Sequence, residues 1–181
     1  MQEKELAESI AKAIDFNLSQ IFNEIDLKVK EITHIKAESI HLLKPKKQET
    51  RVLVFSEIKA ENNKLKAVIS FSKENAFKMA DLIKGASFGS TKLLSSQEII
   101  PLKDVSTNLF KASINSLNSI TTTTLSLTEP EIVFSFSDFE NEFIAGNLSG
   151  EGRFFEFSLV VGGTDIKGEM KFFIPMELMK Q

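Results

Sequence analysis

The stretch DVSTNLFKASINSLNSITTTTLSLTEP, residues 104–130, decides how this chain is read. It opens with helical spacing, carries Asn108, Asn115 and Asn118, then runs through four threonines to Pro130. Threonine loses χ1 freedom in a helix and packs well on a pleated surface. The run Thr121–Thr124 is therefore expected to end the helix and open a strand, TTTTLSLTE. Asparagine has no propensity advantage inside a helix, so the amides need a reason. Leu102, Val105, Leu109 and Leu117 set an apolar arc. At its edge Asp104, Asn108, Lys111 and Asn115 form a polar stripe, three or four residues apart.

Working outward, this helix is expected from about Ser96 to Ser119, with Pro101 tolerable if it lies in the first turns. A first helix over 4–25 repeats Leu6, Ile10, Ile14, Leu18, Ile21 and Ile25 at helical spacing. After Asp26 the period switches to two in LKVKEITHI. Strands RVLVFSEI and LKAVISFS follow, joined by the turn KAENNK. KENAFKMADLIKG reads as a short helix with Ser72 as N-cap and Gly85 as its stop. The second half repeats the order: the long helix, the threonine strand, EIVFSF, a Gly-rich loop, RFFEFSLVV, a GGTD turn, EMKFFI and PMELMK.

The residues correspond as well as the order. ETRVLVFS (49–56) matches EGRFFEFS (151–158), AVISFSKE (67–74) matches MKFFIPME (170–177), and NLSQIF (17–22) matches NLFKAS (108–113). This pattern implies an internal duplication. The expected fold is α+β, layered: one domain over 1–181 built from two repeats (about 1–84 and 96–181). Pseudo-two-fold symmetry would then relate two long helices packed on a largely antiparallel sheet.

Composition narrows the function. The chain of 181 residues has 42% hydrophobic and 26% charged residues, ordinary values for a globular protein. Its aromatic residues are 16 Phe, with no Tyr or Trp, which points to an aliphatic–Phe core. A net charge of −3 gives no basic field, so nucleic acid is not an expected partner. The absence of cysteine removes disulfides, thiolate zinc sites and a cysteine nucleophile. The acidic start MQEKELAES shows no signal peptide and no segment reads as a membrane span, so a cytoplasmic protein is expected.

On the residues 104–130, the segment FSKENAFKMADLIKG and the fainter IPMELMK, the chain resembles the CheC/CheX chemotaxis phosphatases and the related flagellar-switch proteins FliY and the FliM middle domain. The resemblance runs from about Leu6 to Met179 and lies in the order of the motifs. It implies a protein of the chemotaxis or flagellar-switch apparatus, placed at the flagellar motor, that binds a CheY-like response regulator or a switch component. A homodimer is compatible with it. In the family's active helix, Glu-x-x-Asn supplies an amide that orients water on an aspartyl phosphate and a carboxylate that anchors the regulator's lysine. Such hydrolysis depends on positioning, and the regulator brings its own metal ion. This chain keeps Asn108 and Asn17, but Val105 and Ile14 stand where the glutamates would be. Two alternatives follow. One is a docking module without phosphatase activity. The other is a divergent phosphatase with Asn108 and Asp104 as catalytic pair and Lys111 and Asn115 as binding residues. Asn17 is expected buried and Asn108 reachable from solvent.

The remaining motifs read as structure. His34 and His41 lack an acidic cluster to complete a metal site, and no cofactor is implied. GNLSGEG (146–152) lacks a following lysine and reads as a loop, KPKK (44–47) as a solvated basic loop, and VGGTD (161–165) as a hairpin turn.

Overall fold

The computed structural model describes Glu8, Ala11, Lys12, Asp15, Phe16 and residues 27–36, 49–61, 63–118, 121–136 and 152–179. Glu8, Ala11, Lys12, Asp15 and Phe16 are helical. The strands are β1 (Leu27–Lys36), β2 (Thr50–Ala60), β3 (Asn63–Ser72), β4 (Leu125–Leu127), β5 (Glu131–Phe136), β6 (Gly152–Val161) and β7 (Lys167–Pro175). The helices are α1 (Lys73–Ile83) and α2 (Ser96–Asn118), and a 3-10 turn, Met176–Leu178, closes the order. Asn17, Ile14, His41, KPKK and most of GNLSGEG lie outside the described residues.

The strands form one sheet in the order β1-β6-β7-β3-β2-β4, with β5 also on β2. Every described pairing is antiparallel. Neighbours in sequence make the hairpins β2–β3 and β6–β7, which join through β3 and β7 at the centre. The flanks cross over: β1 pairs with β6, and β5 with β2. In β1 the alternation slips between Val29 and Glu31. This bulge puts Val29 opposite Leu159 and Ile32 opposite Phe157 and accounts for the broken period of LKVKEITHI.

One face of the sheet carries the main core. Val52, Val54, Ile69, Phe71, Phe155, Phe157, Met170 and Phe172 pack there with Ala76 and Met79 of α1, Leu102, Leu109 and Phe110 of α2, and Ala11 of the N-terminal helical residues. The Phe172 ring is stacked on Phe157 at 5.3 Å and tilted against Phe155 at 5.2 Å, centroid to centroid. Burying each such side chain stabilises the fold by about 1.5–3 kcal/mol. The aliphatic–Phe core expected from composition is present.

The opposite face holds an ionic cluster that composition did not announce. Arg51 donates to Ser70 Oγ (2.8 Å) and to Glu169 (3.3 Å), and Lys171 lies 3.5 Å from Glu169 and 3.6 Å from Glu156. The cluster ties β2, β3, β7 and β6 in one register. A buried pair is weak evidence for stability but strong evidence for register, because slippage would strand a buried charge.

Two sequence expectations need correction. Only Leu125–Leu127 of TTTTLSLTE is a strand. The threonines serve the helix end instead: Thr121 N–H donates to Leu117 O (2.9 Å), Thr122 N–H to Leu178 O (2.8 Å), and Thr121 Oγ1 to Thr123 O (2.9 Å). Hydroxyls that satisfy nearby carbonyls compete with strand pairing. The match of 49–56 with 151–158 is also out by one residue. Along the ladders Val54 leads through Ile69 and Met170 to Phe157, whereas Phe55 leads through Val68 and Lys171 to Glu156. Because side chains alternate across a strand, the shared Phe of that match lies on opposite faces. The match of 67–74 with 170–177 keeps faces: Ala67, Ile69 and Phe71 join the core as do Met170, Phe172 and Ile174.

Candidate functional site

The site the sequence singled out is the outer face of α2. A capping box opens the helix. Glu98 accepts from Ser95 N–H (2.9 Å) and from the Ser95 hydroxyl, and Lys84 Nζ donates to it at 2.6 Å. Lys84 and then Ser95 hold the Glu98 carboxyl down at about 2. Pro101 lies past the first turn and the helix continues through it. At the other end Asn118 closes the exit, accepting from Leu125 N–H (2.7 Å) and donating to Leu125 O (3.4 Å). This amide has a structural task, which explains one of the three asparagines.

Between these ends the helix divides sharply. Leu102, Val105, Leu109, Ile114 and Leu117 face the core. Asp104, Lys111 and Asn115 are exposed and Asn108 is half-buried, so the predicted stripe exists and Asn108 is reachable. Residues three or four apart on a helix have Cβ atoms about 5–6 Å apart, which makes the four a continuous row. Among the described residues no side-chain hydrogen bond or ion pair engages any of them. Beside the row Lys103 pairs with Glu129 at 3.3 Å.

Val105 is 4% exposed. The position three before Asn108 therefore points into the core, and a carboxylate placed there would be desolvated rather than presented to a partner. The acid that shares the outer face with Asn108 is Asp104, one turn away. The outer row holds two amides, one carboxylate and one ammonium. Such a set can hydrogen-bond and pair with a partner surface, and its amide can position a water.

Sequence reading missed Asp81. This carboxylate, in the last turn of α1, is fully buried and accepts from the N–H groups of Gly89 (2.7 Å), Ser90 (3.1 Å) and Thr91 (2.8 Å). Burial pushes its carboxyl up, but hydrogen bonds from Thr91, Gly89 and Ser90 outweigh that and hold it below the ordinary value. The available signal was the pair Gly85 and Gly89 flanking ASF, since both take positive φ. The GGTD turn was read correctly, with Gly163 at φ 73°. Its Asp165 also pairs with Lys78 of α1 at 2.6 Å, and Asp165 followed by Glu74 raises the Lys78 ammonium. His34 lies opposite Phe155 in the β1–β6 ladder. Among the described residues no three His, Asp or Glu side chains group to hold a metal, and no helix is long and apolar enough to cross a membrane.

No protein-family model matches the chain, and no curated protein sequence does. Solved structures do. FliY from Thermotoga maritima is 18% identical with a TM-score of 0.64, covering 96% of this chain and 91% of that one. The chemotaxis protein CheX from Desulfovibrio desulfuricans is 10% identical with a TM-score of 0.60, covering 93% and 97%. A chain of the FliG–FliM complex from H. pylori is 13% identical with a TM-score of 0.57, covering 96% and 91%. This chain thus has, over nearly its whole length, the α+β fold of the chemotaxis and flagellar-switch proteins FliY, CheX and FliM.

Proposed function

We propose that this chain is a chemotaxis or flagellar-switch protein of the cytoplasm whose outer α2 face docks a CheY-like response regulator or another switch component, without hydrolysing phosphate. The observation that carries the reading is the division of α2. Asp104, Lys111 and Asn115 are exposed and Asn108 half-buried, with no partner among the described residues, while Val105 occupies the core where the family's acid would have to emerge. Proteins of this fold include FliM in complexes with FliG and with SpeE from H. pylori, which supports a switch partner for this chain as well.

The same reading includes an internal duplication within one domain. With β4 set aside, which has no counterpart beside β6, the sheet order reads alike from both ends when β1, β2 and β3 exchange with β5, β6 and β7, and each flanking strand crosses to the other half's hairpin. The two closing elements differ: α1 on one side and a 3-10 turn on the other. Superposing the halves checks it, and a different strand order or direction would remove it.

The alternative is a divergent aspartyl-phosphate phosphatase using Asn108 with Asp104. It is favoured by their shared exposed face, one turn apart. Decay of a phosphorylated CheY-like regulator, with and without the protein, separates the two. Docking alone gives unaltered decay, with affinity lowered by Asp104→Ala or Lys111→Glu. Acceleration by the wild type that Asn108→Ala abolishes, with binding retained, establishes the phosphatase, because the amide then acts in the transition state.

A further inference from the structure

The two ends of the sheet are finished differently. β1, the outer strand at one end, carries Lys28, Lys30 and Lys36 and the bulge between Val29 and Glu31. Lysines, bulges and short strands are the devices that stop an edge from pairing with another chain. At the other end β4 and β5 share the flank of β2 that β3 leaves free. β4 has only three residues and is protected by its shortness. β5 has none of these devices. It reads EIVFSF, with no charge after Glu131 and no proline, and keeps unbroken register along β2 from Glu131 opposite Phe55 to Phe136 opposite Thr50. Among the described residues no strand lies on its outer side.

The side chains show the same open end. Ile132 and Phe134 lie opposite Val54 and Val52, on the face that carries the main core. Val52 is wholly buried and Ile132 packs against the core, but Phe134 is 50% exposed. A lone exposed apolar residue needs no explanation. One on the core face of an unprotected edge strand does, because alternate residues there also turn their N–H and C=O groups outward.

The edge sets the chemistry of its occupant. A row of outward N–H and C=O groups is matched by another extended backbone, whose main chain supplies affinity and whose alternate side chains supply specificity. Those side chains must be apolar at alternate positions to cover Phe134, and basic beside Glu131, which is exposed and engaged by no ion pair among the described residues. We propose that β5 accepts an extended segment of another protein as an added strand, with alternate apolar residues over Phe134 and a cationic residue at the Glu131 end. A second copy paired through its own β5 fits less well. It brings no cation to Glu131, since the strand's only charge is Glu131 itself. It would also double the seven strands to fourteen, beyond the roughly ten that twisted open sheets reach. This edge shares no residue with the outer row of α2 and does not depend on the reading given for that row.

The test pans a phage-displayed library of random peptides against the full chain. Expected are enriched peptides with apolar residues at alternate positions and a basic residue toward one end. They should bind the wild-type chain about tenfold more tightly than Phe134→Lys, which gives β5 the kind of lysine that β1 carries. Bound peptide should slow amide hydrogen exchange at alternate residues of β5, as a new ladder does, and leave the outer row of α2 unaltered. Glu131→Lys should weaken binding, and less so at high salt. Val133→Lys serves the same comparison should Phe134→Lys not fold. No enrichment, enriched peptides without alternation, an affinity indifferent to both lysines, or exchange slowed only away from β5 overturns the proposal. So does a reversible doubling of the protein's mass that Phe134→Lys abolishes, since the edge would then belong to a second copy.

Discussion

Two neighbouring polar stretches of this protein are put to opposite uses. From Asp81 to Glu98 the carboxylates work inward: Asp81 holds three loop amides, and Glu98 holds Ser95 and Lys84. On the outer row of α2, the side chains of Asp104, Asn108, Lys111 and Asn115 hold nothing among the described residues. Polar groups with internal partners build a frame. Those without them are available to another molecule. The contrast separates residues that matter to folding from residues that matter to recognition, and it can be tested directly.

The largest effect is expected at Asp81. Asp81→Ala leaves three loop N–H groups without their acceptor and should cost about 3 kcal/mol, read from the urea midpoint. A loss below about 0.5 kcal/mol would break the comparison, because the loop would then not need its buried anion.

Glu98 comes next, and its effect depends on pH. Its folded carboxyl lies at about 2, below the ordinary 4.5, through Lys84 and Ser95. A depressed carboxyl stabilises the fold above its unfolded value, and that contribution disappears as pH falls through the folded one. Stability should therefore decline between roughly pH 4.5 and 2. The decline in that window should be shallower in Glu98→Gln; an identical acid titration in the two proteins would count against the capping role.

Asn118→Ala is expected to cost about 1–2 kcal/mol, since it removes both bonds to Leu125 at the end of α2. The amide hydrogens of Leu125 and its strand neighbours should exchange faster in the variant. Asn118→Asp should keep part of the stability by retaining the acceptor.

The smallest effects are expected on the outer row. Asp104→Ala, Asn108→Ala, Lys111→Ala and Asn115→Ala should each shift stability by no more than about 0.5 kcal/mol, as surface changes do. Any one of them that destabilises the fold like Asn118→Ala would mean the row has structural work and would sharpen the boundary between the two regions.

Much of this division was legible from the chain. The limits of α2, the Ser72 cap, the Gly85 stop and the polar stripe follow from periodicity and end signals that act within a few residues. The threonine run was misread because threonine's strand preference and its capacity to bond local carbonyls point different ways, and Leu117 and Leu178 decided between them. The one-residue error in matching 49–56 with 151–158 arose because residue identities carry no information about pleat direction; only the ladders through β3 and β7 show it.

By itself the sequence determined most of the described strands, the short helix α1, where α2 begins and ends, which of its faces is polar, and that phenylalanine fills the core. These are local matters, governed by side-chain spacing along one element. Tertiary structure alone decided that β1 crosses to β6 and β5 to β2, that the sheet closes over the arc holding Val105, and that Asp81 is a buried anchor rather than a surface charge. Each depends on groups brought from elsewhere in the chain: a partner strand's register, the sheet beneath the helix, and amides eight to ten residues away that make burial of a carboxylate tolerable.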